Sequence, residues 1–308
     1  MMMNIRRNSV SVLIISLVLF SPLVSGEVLC RPYQILQDNV SEAVKYGSGL
    51  LWKLSYDGSP AGYIFGTIHI DDEAVLNIPE PVLRSLQISD TFVMEVVPDP
   101  AEALVMSRSM FFMDGTRLDE LVNQDIFNET TQILEDYGFT RDIVTVMKPW
   151  AAYIVMSYPK NSGEILDLKL LQLARSNGAN VFGLETAMEQ VNIFAKLSLD
   201  DQARILTDVV CHYDNTRSDF SEITEHYLNR DLDSLYSFSK RYTFNDDSVY
   251  EKITEKLIDQ RNNKMVERIL QHIQSGVTFI AVGALHLPGE NGILNQLESM
   301  NYQIDRVY

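Results

Sequence analysis

The chain has 308 residues and a formal net charge of −17, with 46% hydrophobic and 22% charged residues. This composition is ordinary for a folded globular protein, and the length suffices for one large domain with a buried core or for two small ones. A strongly negative protein is repelled by nucleic acids and by anionic membrane surfaces, so we expect neither as a partner.

The first 26 residues predict a cleaved signal peptide. "MMMNIRR" is a positive n-region, residues 10–20 form an apolar h-region, and "SPLVSG" supplies small residues for cleavage after Gly26. A membrane anchor, the alternative, would need an apolar run of about 20 residues. Removal of residues 1–26 takes away two arginines and no acids, which changes the formal charge from −17 to −19. We expect a periplasmic or secreted protein with no stable membrane insertion after signal cleavage.

Strand and helix signals alternate along residues 27–308, which we interpret as one α/β domain. The expected architecture is a single mixed-sheet core with helices on its faces and a large helical insertion. In chain order the predictions are a strand hairpin over 49–58 and 61–70, a helix over 78–89, a buried strand over 90–98, helices over 99–160 and 165–177, a strand over 179–186, helices throughout 186–275, and a final strand, helix and strand.

Polar side chains end four of the predicted strands: His69, Glu95, Glu185 and His286. Each histidine closes a Gly-x-x-His unit, in "FGTIHI" and in "VGALHL". Taken singly, such residues are more often structural histidines, caps or salt-bridge partners. Since α/β sheets gather their chemistry at the carboxyl ends of the strands, we expect the four to converge if their strands are neighbours.

This set of side chains suits a divalent metal. Two imidazoles with one or two carboxylates can hold Zn²⁺, Mn²⁺ or Co²⁺ and leave room for water. Gly66 and Gly283 lack a Cβ, so we expect the backbone there to turn and to approach a ligand closely. The chain has no His-Glu-x-x-His motif, which excludes an ordinary zinc-protease helix, and it has no Gly-x-Ser-x-Gly, P-loop or Gly-x-Gly-x-x-Gly motif.

Six motifs, taken together, resemble the TraB/GumN family, which includes the TIKI metalloproteases and is similar to the erythromycin-esterase/ChaN-like superfamily. The resemblance covers roughly residues 47–308 and implies an α/β core and metal-dependent peptide hydrolysis. The motifs are "FGTIHI" (65–70), "FVMEVV" (92–97), "MKPW" (147–150), "ILDLKLLQLARSNGANVFGLET" (165–186), "RNNKMVERI" (261–269) and "FIAVGALHLPGENGIL" (279–294).

The resemblance also implies roles for individual residues. The paired Gly-x-x-His motifs of the family map onto Gly66–His69 and Gly283–His286, and its essential glutamate maps onto Glu95. Glu185 falls in the family's "LET" strand end, and the "RN" helix start supplies Arg261 and Asn262. The expected function is a secreted metal-dependent peptidase; the alternative is a non-catalytic envelope protein that holds a peptide, haem or metal in the same cleft, or a structural partner of an envelope complex.

In the expected mechanism His69, His286 and Glu95 or Glu185 bind the metal, and the second glutamate is the general base. Arg261 has two interpretations: it holds the oxyanion or the substrate carboxylate, or it pairs with a neighbouring acid. The two cysteines, Cys30 and Cys211, form one disulfide or are unrelated thiols, and the sequence leaves both open.

Overall fold

The computed structural model describes residue 30 and residues 33–35, 43–158, 163–240, 242–244, 248–274 and 276–308. The predicted signal peptide, residues 1–26, lies outside the described residues. In these ranges no helix combines the length and the apolar character that crossing a bilayer requires.

The core of the fold is a six-stranded sheet with the order β5-β4-β7-β3-β2-β8. Its first four strands run parallel to one another, whereas β2 pairs antiparallel with both β3 and β8. The strands are β1 (Tyr33–Ile35), β2 (Leu51–Tyr56), β3 (Ser59–Thr67), β4 (Thr91–Met94), β5 (Asn180–Gly183), β6 (Tyr242–Phe244), β7 (Thr278–Gly283) and β8 (Gln303–Arg306).

Helices connect the parallel strands, and the predicted α/β class with a mixed sheet is confirmed. The α-helices are α1 (Glu73–Leu76), α2 (Glu80–Gln87), α3 (Pro100–Ser109), α4 (Leu118–Leu121), α5 (Gln124–Glu135), α6 (Arg141–Thr145), α7 (Pro149–Met156), α8 (Leu166–Ser176), α9 (Ala187–Ala195), α10 (Leu199–Cys211), α11 (Tyr213–Leu228), α12 (Leu232–Ser239), α13 (Ser248–Thr254), α14 (Gln260–His272) and α15 (Ile293–Ser299). A π-helical turn, Glu255–Asp259, joins α13 to α14, and a 3₁₀ turn, Ala284–His286, follows β7.

The centre of the sheet is buried on both faces, which explains why its strands read as continuous apolar runs. The Phe279 ring in β7 lies 6.1 Å from the Phe92 ring in β4 and 6.3 Å from the Phe65 ring in β3. All three rings are almost fully buried. Aromatic packing across three neighbouring strands fixes the register that places the strand ends side by side.

A second apolar cluster, separate from the sheet core, occupies the helical insertion, by which we mean α4–α7, α9, α10 and α13. Trp150 of the "KPW" motif is buried in this cluster. Val191, six residues after Glu185, and Ile253, eight residues before Arg261, belong to it as well. The segment between Glu185 and Arg261 therefore contributes residues to the core of the helical insertion.

One predicted region differs from the structure. The stretch 186–275 was expected to be helical throughout, but it contains β6, which pairs antiparallel with β1. A three-residue strand is too short to show an alternating pattern, so the surrounding helical signal conceals it. Cys30, just before β1, forms a disulfide with Cys211 at the end of α10, with the two Cα atoms 5.6 Å apart. Of the two alternatives for the cysteines, the structure contains the disulfide.

Candidate functional site

The four strand-end side chains lie at one edge of the sheet, because β5, β4, β7 and β3 are parallel neighbours. His69 lies two residues beyond β3, Glu95 directly follows β4, Glu185 lies two residues beyond β5, and His286 ends the 3₁₀ turn after β7. The side chains of Glu95, Glu185 and His286 are buried, whereas that of His69 is 39% exposed. His69 thus marks the open side of the cluster.

Arg261 joins the two glutamates. Its Nη2 lies 2.5 Å from Glu95 Oε2 and 2.8 Å from Glu185 Oε2, and its Nε donates to Glu185 Oε2 at 2.9 Å. The remaining nitrogen, Nη1, donates to the carbonyl of Leu257 in the π-helical turn. Such turns are common at functional sites. Of the two interpretations of Arg261, the structure shows the pairing with neighbouring acids, and these acids are the two predicted site glutamates.

Glu95 is held in its ionised form. Its Oε1 accepts a hydrogen bond from the Gly283 N–H at 2.6 Å, and its Oε2 accepts one from Gln190 Nε2 at 3.0 Å. Burial opposes ionisation, but the charge of His286, which is protonated at the acidic pH where Glu95 titrates, and the charge of Arg261 outweigh it and lower the Glu95 pKa to about 2. Gln190 also donates to Glu185 Oε2 at 3.3 Å, so its amide bridges the carboxylates as Arg261 does.

The hydrogen bonds of His286 fix the tautomer of its ring. The amide of Asn262 donates through Nδ2 to the Asn291 carbonyl at 2.8 Å, and its Oδ1 lies 2.7 Å from His286 Nδ1. Because an amide oxygen only accepts, Nδ1 carries the proton and Nε2 keeps its lone pair. Burial lowers the His286 pKa to about 4, against the opposing charge of Glu95, so the ring is neutral near pH 7. Its Nε2 lies 3.8 Å from Glu95 Oε1, beyond hydrogen-bonding distance.

The Nδ1 of His69 is likewise held by a hydrogen-bond acceptor, in this case a carboxylate. Asp167 Oδ2 lies 2.9 Å from His69 Nδ1, and Asp167 Oδ1 accepts a hydrogen bond from the Thr67 hydroxyl at 2.8 Å. Burial alone would lower the His69 pKa, but the hydrogen bond and charge of Asp167, together with Glu95, raise it to about 8. Both histidines therefore have Nδ1 held by an acceptor and point Nε2 elsewhere.

Sequence reasoning missed the roles of Asp167 and Gln190 and gave Asn262 none beyond its place in a motif. Asp167 carried a usable signal, because it lies on the buried face of α8, where an acid is costly unless it is hydrogen-bonded. Gln190 lies on the partly buried α9 with no unusual pattern around it, and nothing in the sequence marks it out.

The two motif glycines differ from their prediction in one respect. Neither has a positive φ, so neither is required for a turn. Both are required for close approach: a Cβ on Gly66 would lie 3.0 Å from Leu287 Cδ1, and one on Gly283 would lie 3.1 Å from Glu95 Oε1. The Gly283 position thus lets the backbone N–H reach the Glu95 carboxylate.

The residues fit a divalent cation in donor type and ring orientation. Metal-binding histidines generally have their second ring nitrogen held by a carboxylate or carbonyl, as His69 and His286 do here. Of the three carboxylates in the site, those of Glu95 and Glu185 pair with Arg261 and that of Asp167 pairs with His69, so the formal charge of the site stays negative and favours a cation. Within the described residues, however, no three His, Cys, Asp or Glu side chains form a group spaced to hold a metal.

Comparison with known proteins matches residues 50–306 to the TraB/PrgY/gumN family. Metalloprotease TIKI2 of Danio rerio is 23% identical over 301 residues, 80% of this chain and 58% of the relative. Metalloprotease TIKI1 of Xenopus tropicalis is 23% identical over 312 residues, 83% of this chain and 61% of the relative. The uncharacterized protein YbaP of Escherichia coli (strain K12) is 21% identical over 255 residues, 79% of this chain and 90% of the relative.

This chain spans about three fifths of the length of these two TIKI relatives. No solved structure matches it. The family match extends from the residue before β2 to the last residue of β8, and so includes all six strands of the main sheet. The chain therefore belongs to the TraB/PrgY/gumN family.

Proposed function

We propose that this chain is an exported, metal-dependent hydrolase that cleaves peptides. The observation that carries the proposal is the matched orientation of His69 and His286 beside the buried, ionised Glu95. A structural histidine needs no such arrangement, whereas a ligand histidine needs one nitrogen fixed and the other free. The names of the TIKI relatives support the reaction class.

The metal ligands in this proposal are His69 Nε2, His286 Nε2 and the Glu95 carboxylate. A bound Mn²⁺, Co²⁺ or Zn²⁺ would polarise the scissile carbonyl and lower the pKa of a water molecule towards about 7. Asp167 and Asn262 hold the two rings in the orientation that ligation requires.

Glu185 is the general base in this proposal. Its Oε2 is tied to Arg261 and Gln190, while its Oε1 makes no hydrogen bond with another described residue. That oxygen is therefore the carboxylate atom best placed to accept a proton from the attacking water. Arg261 positions both carboxylates and offsets their mutual repulsion.

Export accounts for two features outside the site. The predicted signal peptide would direct the chain to the periplasm or the extracellular medium. The Cys30–Cys211 disulfide supports this, because disulfides persist mainly in oxidising compartments.

The test combines metal content with hydrolysis. The full chain, exported and purified, is compared with His69→Ala and His286→Ala for bound metal and for cleavage of a mixed peptide library with Mn²⁺, Co²⁺ or Zn²⁺. His272→Ala is the matched control, because His272 ends α14 next to the start of β7, at the opposite edge of the sheet.

We expect wild type and His272→Ala to hold about one metal per chain and to cleave peptides, and both site variants to lose metal and activity. A wild-type protein that binds no metal and cleaves nothing would contradict the proposal. The cleft would then be a binding site, and ligand capture would be the next experiment.

A further inference from the structure

Two arginines lie on one face of α14 and reach the same glutamate at different points. Arg261 and Arg268 are seven residues apart, about two helical turns, and Met265 between them is buried. Arg261 reaches the carboxylates of Glu95 and Glu185. Arg268 reaches the backbone next to Glu185. The helix therefore contacts Glu185 both at its side chain and at its main chain.

Arg268 holds the peptide group that precedes Glu185. Its Nη1 donates to the carbonyl of Leu184, and the N–H of the same peptide group, that of Glu185, donates to the Glu95 carbonyl at 2.7 Å. One end of the peptide group is thus bound by α14 and the other by the residue that follows β4. Because a peptide group is planar, contacts at both ends fix its orientation.

Arg268 also acts on the peptide group that follows Glu185, through Glu189. Its Nη1 and Nη2 donate to the two carboxylate oxygens of Glu189 at 3.0 and 2.7 Å. Glu189 Oε2 in turn accepts the N–H of Thr186 at 2.9 Å, and the Thr186 hydroxyl accepts the N–H of Glu189 at 3.1 Å. This reciprocal cap begins α9. With both neighbouring peptide groups held, the two backbone torsions of Glu185 have little freedom left.

The backbone of Glu185 decides where its second carboxylate oxygen lies. Arg261 and Gln190 hold Oε2. The other oxygen, Oε1, is the proposed proton acceptor, and it makes no hydrogen bond with another described residue. Its position therefore depends on two anchors: the bound Oε2, and the Cα that the contacts of Arg268 keep in place.

We propose that Arg268 is a positioning residue for the general base: it fixes the two peptide groups around Glu185 and so holds Oε1 where it can accept the proton of the attacking water. The inference rests on the proposed function and adds a residue to it. Arg268 touches neither substrate nor metal in this assignment and acts through Glu185 alone. About a third of each side chain in the Arg268–Glu189 pair is exposed, so the ion pair by itself adds little to stability.

The test is a double-mutant cycle between Arg268→Met and Glu185→Gln in the full chain. Methionine keeps an unbranched side chain and removes the guanidinium, whereas glutamine keeps the shape of the glutamate and removes its basicity. The four proteins are assayed with Mn²⁺ on the peptide of a mixed library that wild type cleaves fastest, and kcat, KM and bound metal are measured separately. Arg117→Met is the matched control, because Arg117 also donates to both oxygens of one carboxylate, that of Asp119 in the helical insertion.

A displacement of about 1 Å at a reacting group can cost about 100-fold in rate. We expect Arg268→Met to lose about 10- to 100-fold in kcat, with KM within about threefold of wild type and with unchanged metal content. In the Glu185→Gln background the same substitution should change kcat by less than about twofold, because the residue that Arg268 positions no longer accepts a proton. Arg117→Met should match its parent in both backgrounds.

A second variant, Arg268→Lys, keeps the cycle decisive if Arg268→Met does not fold. Lysine keeps the positive charge but lacks the planar fork, so it can donate to the Leu184 carbonyl or to Glu189 but cannot reproduce all three contacts. We expect a protein with the urea midpoint of wild type and with a kcat between those of wild type and Arg268→Met. This loss, too, should be absent in the Glu185→Gln background.

The possible failures are distinguishable. Equal losses of kcat in the two backgrounds would indicate a general structural effect, and loss of metal would indicate an effect on the ligands. Either result overturns the Arg268 assignment and leaves the proposed function standing, as does a kcat of Arg268→Met within about threefold of wild type. If wild type cleaves no peptide with Mn²⁺, Co²⁺ or Zn²⁺, the proposed function fails, and this inference fails with it.

Discussion

The two Gly-x-x-His units have the same spacing and end neighbouring parallel strands, yet they place their histidines in different environments. His286 is buried, and its Nδ1 is held by the amide of Asn262. His69 is half-buried, and its Nδ1 is held by the carboxylate of Asp167. The ring orientation is alike in the two units, and the charge of the acceptor is what differs.

The acceptor, rather than the motif, decides the protonation of each ring. An amide adds no charge, so burial dominates at His286 and its pKa falls to about 4. A carboxylate overcomes burial at His69 and raises the pKa to about 8. Near neutral pH the unliganded site therefore pairs a neutral imidazole inside with a largely protonated one at the opening.

The largest effect should come from the guanidinium that the two glutamates share. Arg261→Met leaves Glu95 and Glu185 buried side by side without their cation, which typically costs about 3–5 kcal/mol of the free energy of unfolding. Urea denaturation measures this loss. The control is Arg84→Met, since Arg84 makes an exposed ion pair with Glu80 that is worth about 1 kcal/mol or less. Equal losses in the two variants would contradict the account.

The second prediction concerns the acid side of the stability curve. In the unfolded chain His286 binds a proton below about pH 6.5, but in the folded protein only below about pH 4. The unfolded state binds more protons in that window, so stability falls as pH falls from 6.5 towards 4, by about 3 kcal/mol in total. Below about pH 4.5 Glu95 adds to the loss of stability, because the unfolded chain binds the Glu95 proton near pH 4.5 and the folded protein binds it only near pH 2. Denaturation of metal-free protein from pH 7 to 4.5 should show a slope that His286→Ala lacks; an unchanged slope would refute the assignment.

The third prediction, with the smallest expected effect, concerns folding stability at alkaline pH. The folded protein holds the His69 proton up to about pH 8, whereas the unfolded chain loses it near pH 6.5. The stability that this pair contributes is therefore present below about pH 6.5 and lost as pH rises through 8. Solvent around the partly exposed ring makes this slope shallower than the acid one.

Asp167→Asn tests the same pair by giving His69 the amide acceptor that His286 has. The His69 pKa, followed by NMR titration of metal-free protein, should fall below 8 and the alkaline slope should flatten. A His69 pKa that stays near 8 in this variant would show that Asp167 is not its cause.

Much of this arrangement could be predicted from the sequence. Apolar runs and turn residues locate the strands of the main sheet to within a few residues, and a histidine or glutamate directly after such a run stands out from its surroundings. The prediction that His69, Glu95, Glu185 and His286 share one edge needs only parallel neighbouring strands, which the structure contains.

The remaining features depend on contacts between segments far apart in the chain. Arg261 meets Glu95 and Glu185 across 166 and 76 residues, and no local pattern reports such a meeting. The β1–β6 pair and the Cys30–Cys211 disulfide are long-range in the same sense.

The most direct test of the central claim is a ¹⁵N NMR spectrum of the five histidine side chains, first without metal and then with one equivalent of Zn²⁺. The account predicts that His69 and His286, at a pH where both are neutral, carry their proton on Nδ1, and that Zn²⁺ then shifts their two Nε2 resonances. His212, His226 and His272 should not respond. A spectrum in which Zn²⁺ leaves His69 and His286 unchanged, or in which their proton is on Nε2, would contradict it.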